Sequence, residues 1–180
     1  MDAALEIIVR DGYRAVSVEA IVREVDVTRP VFYNVFAGMD ELLSTLLDRQ
    51  EKRALDQLTA NLTVPADLSD LRGYLHETVR ALVSMVAKDP HTWKPIFLAT
   101  VDTPDVVRER IERHREAIRG RFAIMLALAV GTDARLDLEL LSHALVAVGE
   151  HFGRMILEDP SSVDADRLAD TISALVPLRA

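Results

Sequence analysis

The chain has 180 residues, 49% hydrophobic, 28% charged and only 5% aromatic, with 21 Lys and Arg set against 29 Asp and Glu for a formal charge of -8. A chain of this length buries roughly 70% of its surface on folding, so the composition excludes a disordered protein. The absence of cysteine excludes disulfides, thiolate zinc sites, iron–sulfur ligation and cysteine nucleophiles together. The longest unbroken apolar run, 122–130, falls well short of the roughly 20 residues of a membrane-spanning helix. Met1-Asp2-Ala3-Ala4 has no basic stretch ahead of an apolar one, as a secretory signal would. The reading is of a soluble, cytoplasmic protein without a membrane partner. Taken alone, the acidic balance argues against a polyanionic partner.

In chain order the pattern is helical, with period-2 alternation nearly absent. Asp2 to Asp11 carries Ala4, Leu5, Ile8 and Val9 at helical spacing, and Gly12 sits where a C-terminal cap belongs. Ser17 is expected to cap a short helix over 18–25, with Ile21, Val22 and Val25 as its apolar stripe. Asp26-Val27-Thr28 reads as a tight turn, and Thr28 as the cap of a third helix with Pro30 in its first turn, where the amides have no intrahelical partner. Ala37-Gly38 is expected to end that helix, and a longer one to run from Met39 to about Asn61 with Leu43, Leu47, Ala54 and Leu58 on one side. Further helices are expected at about 68–88, 90–101, 104–130, 136–158 and 163–176, with start signals at Thr103-Pro104 and Ser162 and stop signals at Gly131 and Pro160. The fold class is all-α: an N-terminal three-helix module plus a C-terminal helical bundle, about nine helices in all. Residues 1–50 form the first domain, helix four bridges to about residue 61, and 51–180 form the second.

Three short helices, the second and third joined by a three-residue turn, describe a helix-turn-helix unit. Ile21, Val22, Val25, Val27, Phe32 and Phe36 are expected to pack helices two and three on helix one. The outer face of helix three then offers Thr28, Arg29, Tyr33 and Asn34, whose hydroxyl, guanidinium and amide groups reach base edges or phosphates. Its N-terminal amides favour phosphate as well.

The stretch "AALEIIVRDGYRAVSVEAIVREVDVTRPVFYNVFAGMDELLSTLL" resembles the DNA-binding domain of the TetR family of transcriptional repressors. The matching points are Gly12-Tyr13, Ser17-Val18, Ile21-Val22, the Tyr33-Asn34-Val35-Phe36 recognition segment, and Met39-Asp40-Glu41-Leu42-Leu43 at the start of helix four. The likeness covers about the first 50 residues. Past Pro65 only the helical layout is similar to the family, whose second domain binds ligands and dimerises. The departures concern the contacts: Asp26 stands where glycine is usual, Pro30 replaces a small residue, Met39 replaces a lysine that would meet phosphate, and Val35 replaces His or Tyr. Members of the family carry residues before this first helix, so a longer natural start is expected ahead of Met1. Residues 1–50 hold five arginines against nine acidic groups, a net of -4, which predicts weak sequence-independent attraction to DNA.

The resemblance implies a ligand-responsive regulator, most simply a repressor, with double-stranded operator DNA, a small-molecule effector and a second copy of itself as partners. It implies no catalysis and no cofactor. Arg29 is expected at a base edge or phosphate, and Tyr33 at a phosphate through its hydroxyl even if its ring packs on helix one. Thr28 adds a contact to its capping role, Asn34 suits adenine or phosphate, and Ser17 touches phosphate unless capping alone explains it. The implied effector pocket has Tyr74, Trp93, Phe97, Phe122, Met125 and His151 as candidate lining, although aromatic and methionine residues at helical spacing also build plain core.

The implied dimer elements are the last two helices. There Leu141, Leu145, Val148, Phe152 and Ile156 form an apolar stripe, and Ala144, Gly149 and Gly153 permit close approach. The alternatives are a helical enzyme or metal-binding protein centred on the C-terminal cavity, and a family member that binds ligand or partners but no DNA. The metal reading draws on Glu139 with His143 and on Glu150 with His151. The segment 106–121 mixes Glu with Arg and reads as a solvated face rather than a nucleic-acid patch.

Overall fold

A computed structural model describes residues 1–61, 70–99, 103–130 and 137–175. Its described residues form nine α-helices: α1 Asp2–Asp11, α2 Val18–Glu24, α3 Arg29–Tyr33, α4 Met39–Asn61, α5 Leu71–Lys88, α6 Pro90–Phe97, α7 Asp105–Val130, α8 Leu138–Glu158 and α9 Ala165–Leu175, with a 3-10 turn Tyr13–Ala15 after α1. No strand occurs among the described residues, and no helix there is long and apolar enough to cross a membrane. The expected joint at 63–67 and the stop signal at Gly131 lie outside the described residues.

The local signals act through identifiable bonds. Gly12 adopts φ +82°, a conformation a Cβ would strain, and its N–H closes α1 on the Ile8 carbonyl at 2.9 Å. Ser17 Oγ accepts from the Ala20 N–H at 3.1 Å, capping α2 as expected. Asp26 takes φ +52° in the turn between α2 and α3. Aspartate tolerates this region better than most side chains, so the turn forms without glycine. Asp89 caps α6 through Thr92, accepting from its N–H at 3.2 Å and its hydroxyl at 2.7 Å.

Several details differ from the expectation. Thr28 occupies the N-cap position of α3, but its side chain makes no capping hydrogen bond. Pro30 supplies no N–H, and the Val31 N–H goes to the Thr28 carbonyl at 3.0 Å. α3 ends at Tyr33 rather than at Ala37-Gly38, although the Phe36 N–H still reaches the Phe32 carbonyl at 3.0 Å and carries the helical path one turn further. α9 is started by Asp164, which accepts from the Arg167 N–H at 2.8 Å. Ser162 instead closes the preceding turn, its hydroxyl donating to the Asp159 carbonyl at 2.6 Å. α6 stops at Phe97, short of residue 101.

The chain divides into two compact units, Met1–Asp56 with Asp89–Glu112, and Gln57–Lys88 with Arg113–Ala180. The first therefore holds, besides the three short helices, the start of α4, all of α6 and the first two turns of α7. Ala4, Leu42, Leu46, Leu47 and Val107 are fully buried at its centre, with Ile7, Ile8, Ile21, Phe32 and Ile111 around them. Tyr13 is buried in the same unit and donates to the Pro95 carbonyl at 2.7 Å, tying the turn after α1 to α6. Burial pushes its phenol up from the ordinary value. Arg110 of α7 bonds to both Glu51 and Asp48 of α4, and these bonds, Glu51 first, push the guanidinium up. In the second unit α5 packs against α8 and α9, with Val86, Leu126, Ile156 and Ala169 buried. There Arg80 pairs with Asp166 at 2.7 Å and Arg115 with Glu150 at 2.5 Å.

Candidate nucleic-acid interface

The interface follows from how α3 is anchored. Phe32 is buried and Phe36 half-buried, which fixes the inward side of the recognition segment. With 100° per residue, Arg29 and Tyr33 then lie along one flank, Val31 and Val35 along the other, and Pro30 and Asn34 face directly outward. Thr28, Arg29, Tyr33 and Asn34 are all exposed, Tyr33 at 55%. Tyr33 meets the edge of Phe32, with ring centroids 5.3 Å apart and planes at 88°, so its ring is oriented by the core while its hydroxyl stays accessible. Ser17 is half-buried and engaged in its cap.

Two features of this surface were not visible in the sequence. Arg29 forms an ion pair with Glu19 of α2, ten residues away and beyond the reach of any helical spacing rule. Val25 and Val27 were expected in the packing between α2 and α3, yet they are 49% and 39% exposed. α2 ends at Glu24, so both valines fall in the turn around Asp26 instead of continuing the Ile21–Val22 stripe. Met39, the residue that replaces a family lysine, is half-buried against the core.

Residues 1–46 match the family model described as bacterial regulatory proteins, tetR family. The N-terminal module is thus similar to the DNA-binding domain of TetR-family regulators. Solved structures extend the likeness to the whole fold. A TetR-like transcriptional regulator from Rhodococcus sp. RHA1 aligns with a TM-score of 0.74 at 20% identity, covering 97% of this chain and 90% of that one. The fatty acid degradation regulator FadR from Bacillus halodurans aligns at 0.69 and 17% identity, covering 99% and 94%. The multidrug binding protein EbrR complexed with imidazole aligns at 0.67 and 23% identity, covering 99% and 88%. These similarities establish a shared all-helical fold. No curated protein matches the chain.

In this TetR-like fold the expected dimer residues separate into two groups. Ala144 and Gly149 are exposed and Leu141, Leu145, Val148 and Phe152 half-buried. Gly153 and Ile156 are instead buried within the chain itself, Ile156 at 2% exposure. Both already lie inside the single chain, in the unit where α8 packs on α5. The exposed stripe of α8 is Leu140, Ala144, Ala147 and His151.

The six candidate lining residues also part company. Trp93 is buried and stacks on Phe97 at 5.7 Å, both on α6 in the first unit. Tyr74 and Phe122 are half-buried in the second. His151 is exposed, edge-on to Phe152 at 5.4 Å, and is corrected from lining to surface. The side chain of Met125 lies outside the described residues.

Glu139 and His143 are exposed, and Glu150 is taken up by Arg115 and Arg154. Among the described residues no three imidazole or carboxylate groups converge to hold a metal. A polar residue that sequence reasoning missed is Gln50 on α4: it is fully buried, and neither amide atom has a hydrogen-bond partner. Its position one turn from Leu46, Leu47 and Ala54 on the buried side of α4 was the available signal.

Proposed function

We propose that the chain is a homodimeric, ligand-responsive transcriptional repressor that reads operator DNA with α3 and is released by a small molecule. The observation that carries this reading is the exposed set Thr28, Arg29, Tyr33 and Asn34 on a short helix whose opposite side is held by Phe32 in a closed core. A helix so anchored presents fixed donors and acceptors to base edges and phosphates. One such module reads few base pairs, and useful specificity needs two on a two-fold axis. The exposed stripe Leu140, Ala144 and Ala147 on α8 supports self-association, being apolar and small enough for close helix packing.

Effector control is supported by the fold shared with EbrR, whose described role is multidrug binding. An effector acts only through its differential affinity for the DNA-competent and DNA-incompetent states. α4, a continuous helix Met39–Asn61, is the element we assign to carry the change.

Selection of genomic fragments by the full-length protein, repeated at several salt concentrations, tests the reading. It expects a two-fold-symmetric sequence whose affinity falls steeply with salt. No enriched sequence even at low salt defeats DNA binding and favours a family member that binds only ligand or partners. A thermal-shift screen of small molecules tests the effector half. Arg29→Ala then weakens operator binding while ligand-induced stabilisation persists.

A further inference from the structure

We infer that Val31 and Val35 form an apolar rib that reads the 5-methyl groups of thymine in the major groove. The inference rests on the DNA-binding reading above and adds which bases the recognition segment selects. Val31 is 46% and Val35 65% exposed, although both belong to a module whose core, with Ala4, Leu42, Leu46 and Leu47, is fully buried. A single exposed valine requires no explanation. Two on the same flank of one recognition segment, one turn apart, do.

Their alignment is set by the backbone. The Asn34 N–H reaches the Pro30 carbonyl at 3.0 Å, and the Phe36 N–H reaches that of Phe32 at 3.0 Å. The helical path therefore runs through residue 35, and Val31 and Val35 stay in register beyond the formal end of α3. Val27, 39% exposed at the preceding turn, continues the apolar edge toward α2.

The chemistry of the occupant follows from what flanks the rib. A continuous apolar surface, such as a protein hydrophobic patch or a membrane interior, would bury the outward-facing Asn34 amide next to the rib and the Arg29–Glu19 ion pair across the helix without offering polar partners. The major groove alternates hydrogen-bonding edges with isolated methyl groups, and thymine alone among the four bases carries one. A narrow row of valines on one flank, the Asn34 amide outward next to it and the Arg29 guanidinium and Tyr33 phenol on the other flank match that alternation. The residue that costs the family a polar contact at position 35 thus supplies an apolar one.

The test removes only the methyl group. In a selected operator each thymine is replaced in turn by deoxyuridine, which keeps every hydrogen-bonding group, and affinity is measured for the full chain and for Val31→Ala and Val35→Ala. The wild type should lose roughly fourfold in affinity per methyl read. That loss should vanish in the alanine variant whose valine faces the base. Both residues are exposed, so the variants should melt with the wild type, which confirms that the module is intact. Equal affinity for thymine and deoxyuridine at every position of a specifically bound operator overturns the proposal and leaves DNA binding standing. A deoxyuridine penalty that persists unchanged in both variants also overturns it. If selection enriches no sequence, the DNA-binding reading fails and the rib falls with it.

Discussion

Ala4, Leu42, Leu46, Leu47 and Val107 are fully buried in the first unit, whereas among the described apolar residues of the second only Ala169 reaches that depth. The second unit leaves Leu140 at 66% and Ile124 at 65% exposure, on helices that do little to shield them. Exposed apolar residues thus have different meanings in the two places. In the first unit Val25, Val27, Val31 and Val35 sit on a closed core that does not need them, at the turn before α3 and on one of its flanks. In the second they are the apolar surface that the proposed self-association would cover. On the proposed function, a DNA-reading module would need its side chains held still before DNA arrives, and a ligand-responsive domain would need more than one acceptable packing.

The largest effect that would break this contrast is a core truncation. Leu46→Ala, in the first unit, should cost about 2–5 kcal/mol, while Leu140→Ala should leave the unfolding free energy of the single chain within about 0.5 kcal/mol. Denaturant unfolding at two protein concentrations checks both. Leu140→Ala should matter only where association contributes, by making the midpoint less dependent on concentration. A large, concentration-independent loss at Leu140 would mean that the second unit is closed in the same way as the first.

The second effect concerns how the first unit recruits helices distant in sequence. Arg110 and Glu51 have side chains only 19% and 18% exposed, and Arg110→Ala would leave the Glu51 carboxylate without its main partner. A loss of roughly 1.5–3 kcal/mol is expected, read from denaturant unfolding, and Glu51→Gln with Arg110→Ala should recover part of it. Gln50 provides a gain in the opposite direction. Its buried amide lacks partners, so Gln50→Leu should stabilise the chain by about 1–2 kcal/mol if the site is only structural. If the variant is more stable but ligand-induced thermal stabilisation disappears, Gln50 belongs to the effector response instead.

The limits of the sequence follow the range of the forces. Ser17, Asp26 and Gly12 were legible because their partners lie within four residues and the chemistry of a cap or a left-handed turn is local. Thr28 shows how a local signal fails: its position was right, but the Val31 N–H its hydroxyl would have met goes to the Thr28 carbonyl instead. Ser162 reads in the sequence as the start of α9, but the Arg167 N–H meets Asp164, a pairing that depends on the direction of the following amides. The stripe Leu141 to Ile156 was legible as a stripe, because periodicity reports which residues share a helix face. It does not report what that face meets, and Gly153 and Ile156 are buried within their own chain. Arg29 was legible as an outward cation, but its pairing with Glu19 depends on the angle between two helices.

That pairing gives the next prediction. An exposed ion pair is worth roughly 0.2–1 kcal/mol, and Glu19 occupies the guanidinium we assign to DNA. Glu19→Gln should therefore tighten operator binding by up to about fivefold at low salt, with the gain shrinking as salt screens the competing charge. Looser binding would instead identify Glu19 as the group that aims Arg29.

The smallest effect lies at the surface of the first unit, where Asp2 accepts a hydrogen bond from Arg49 at 2.6 Å. This bond, reinforced by the arginine's charge, holds the Asp2 carboxyl below its ordinary value of 3.8. A carboxyl lowered in the native state binds fewer protons than in the unfolded state as pH falls. Its contribution is therefore fully present above the ordinary carboxylate range and is lost as pH falls through the lowered native value. Asp2→Asn should flatten that part of the acid limb, seen as a difference between wild-type and variant unfolding from pH 6 to about pH 2. Because the Asp2 side chain is largely exposed, water competes for both partners and the difference should be slight beside that at Arg110. A difference as large as the Arg110 effect would mean that the start of α1 is fastened to α4 as firmly as α7 is, and that the closed core of the reading head extends to its first residue.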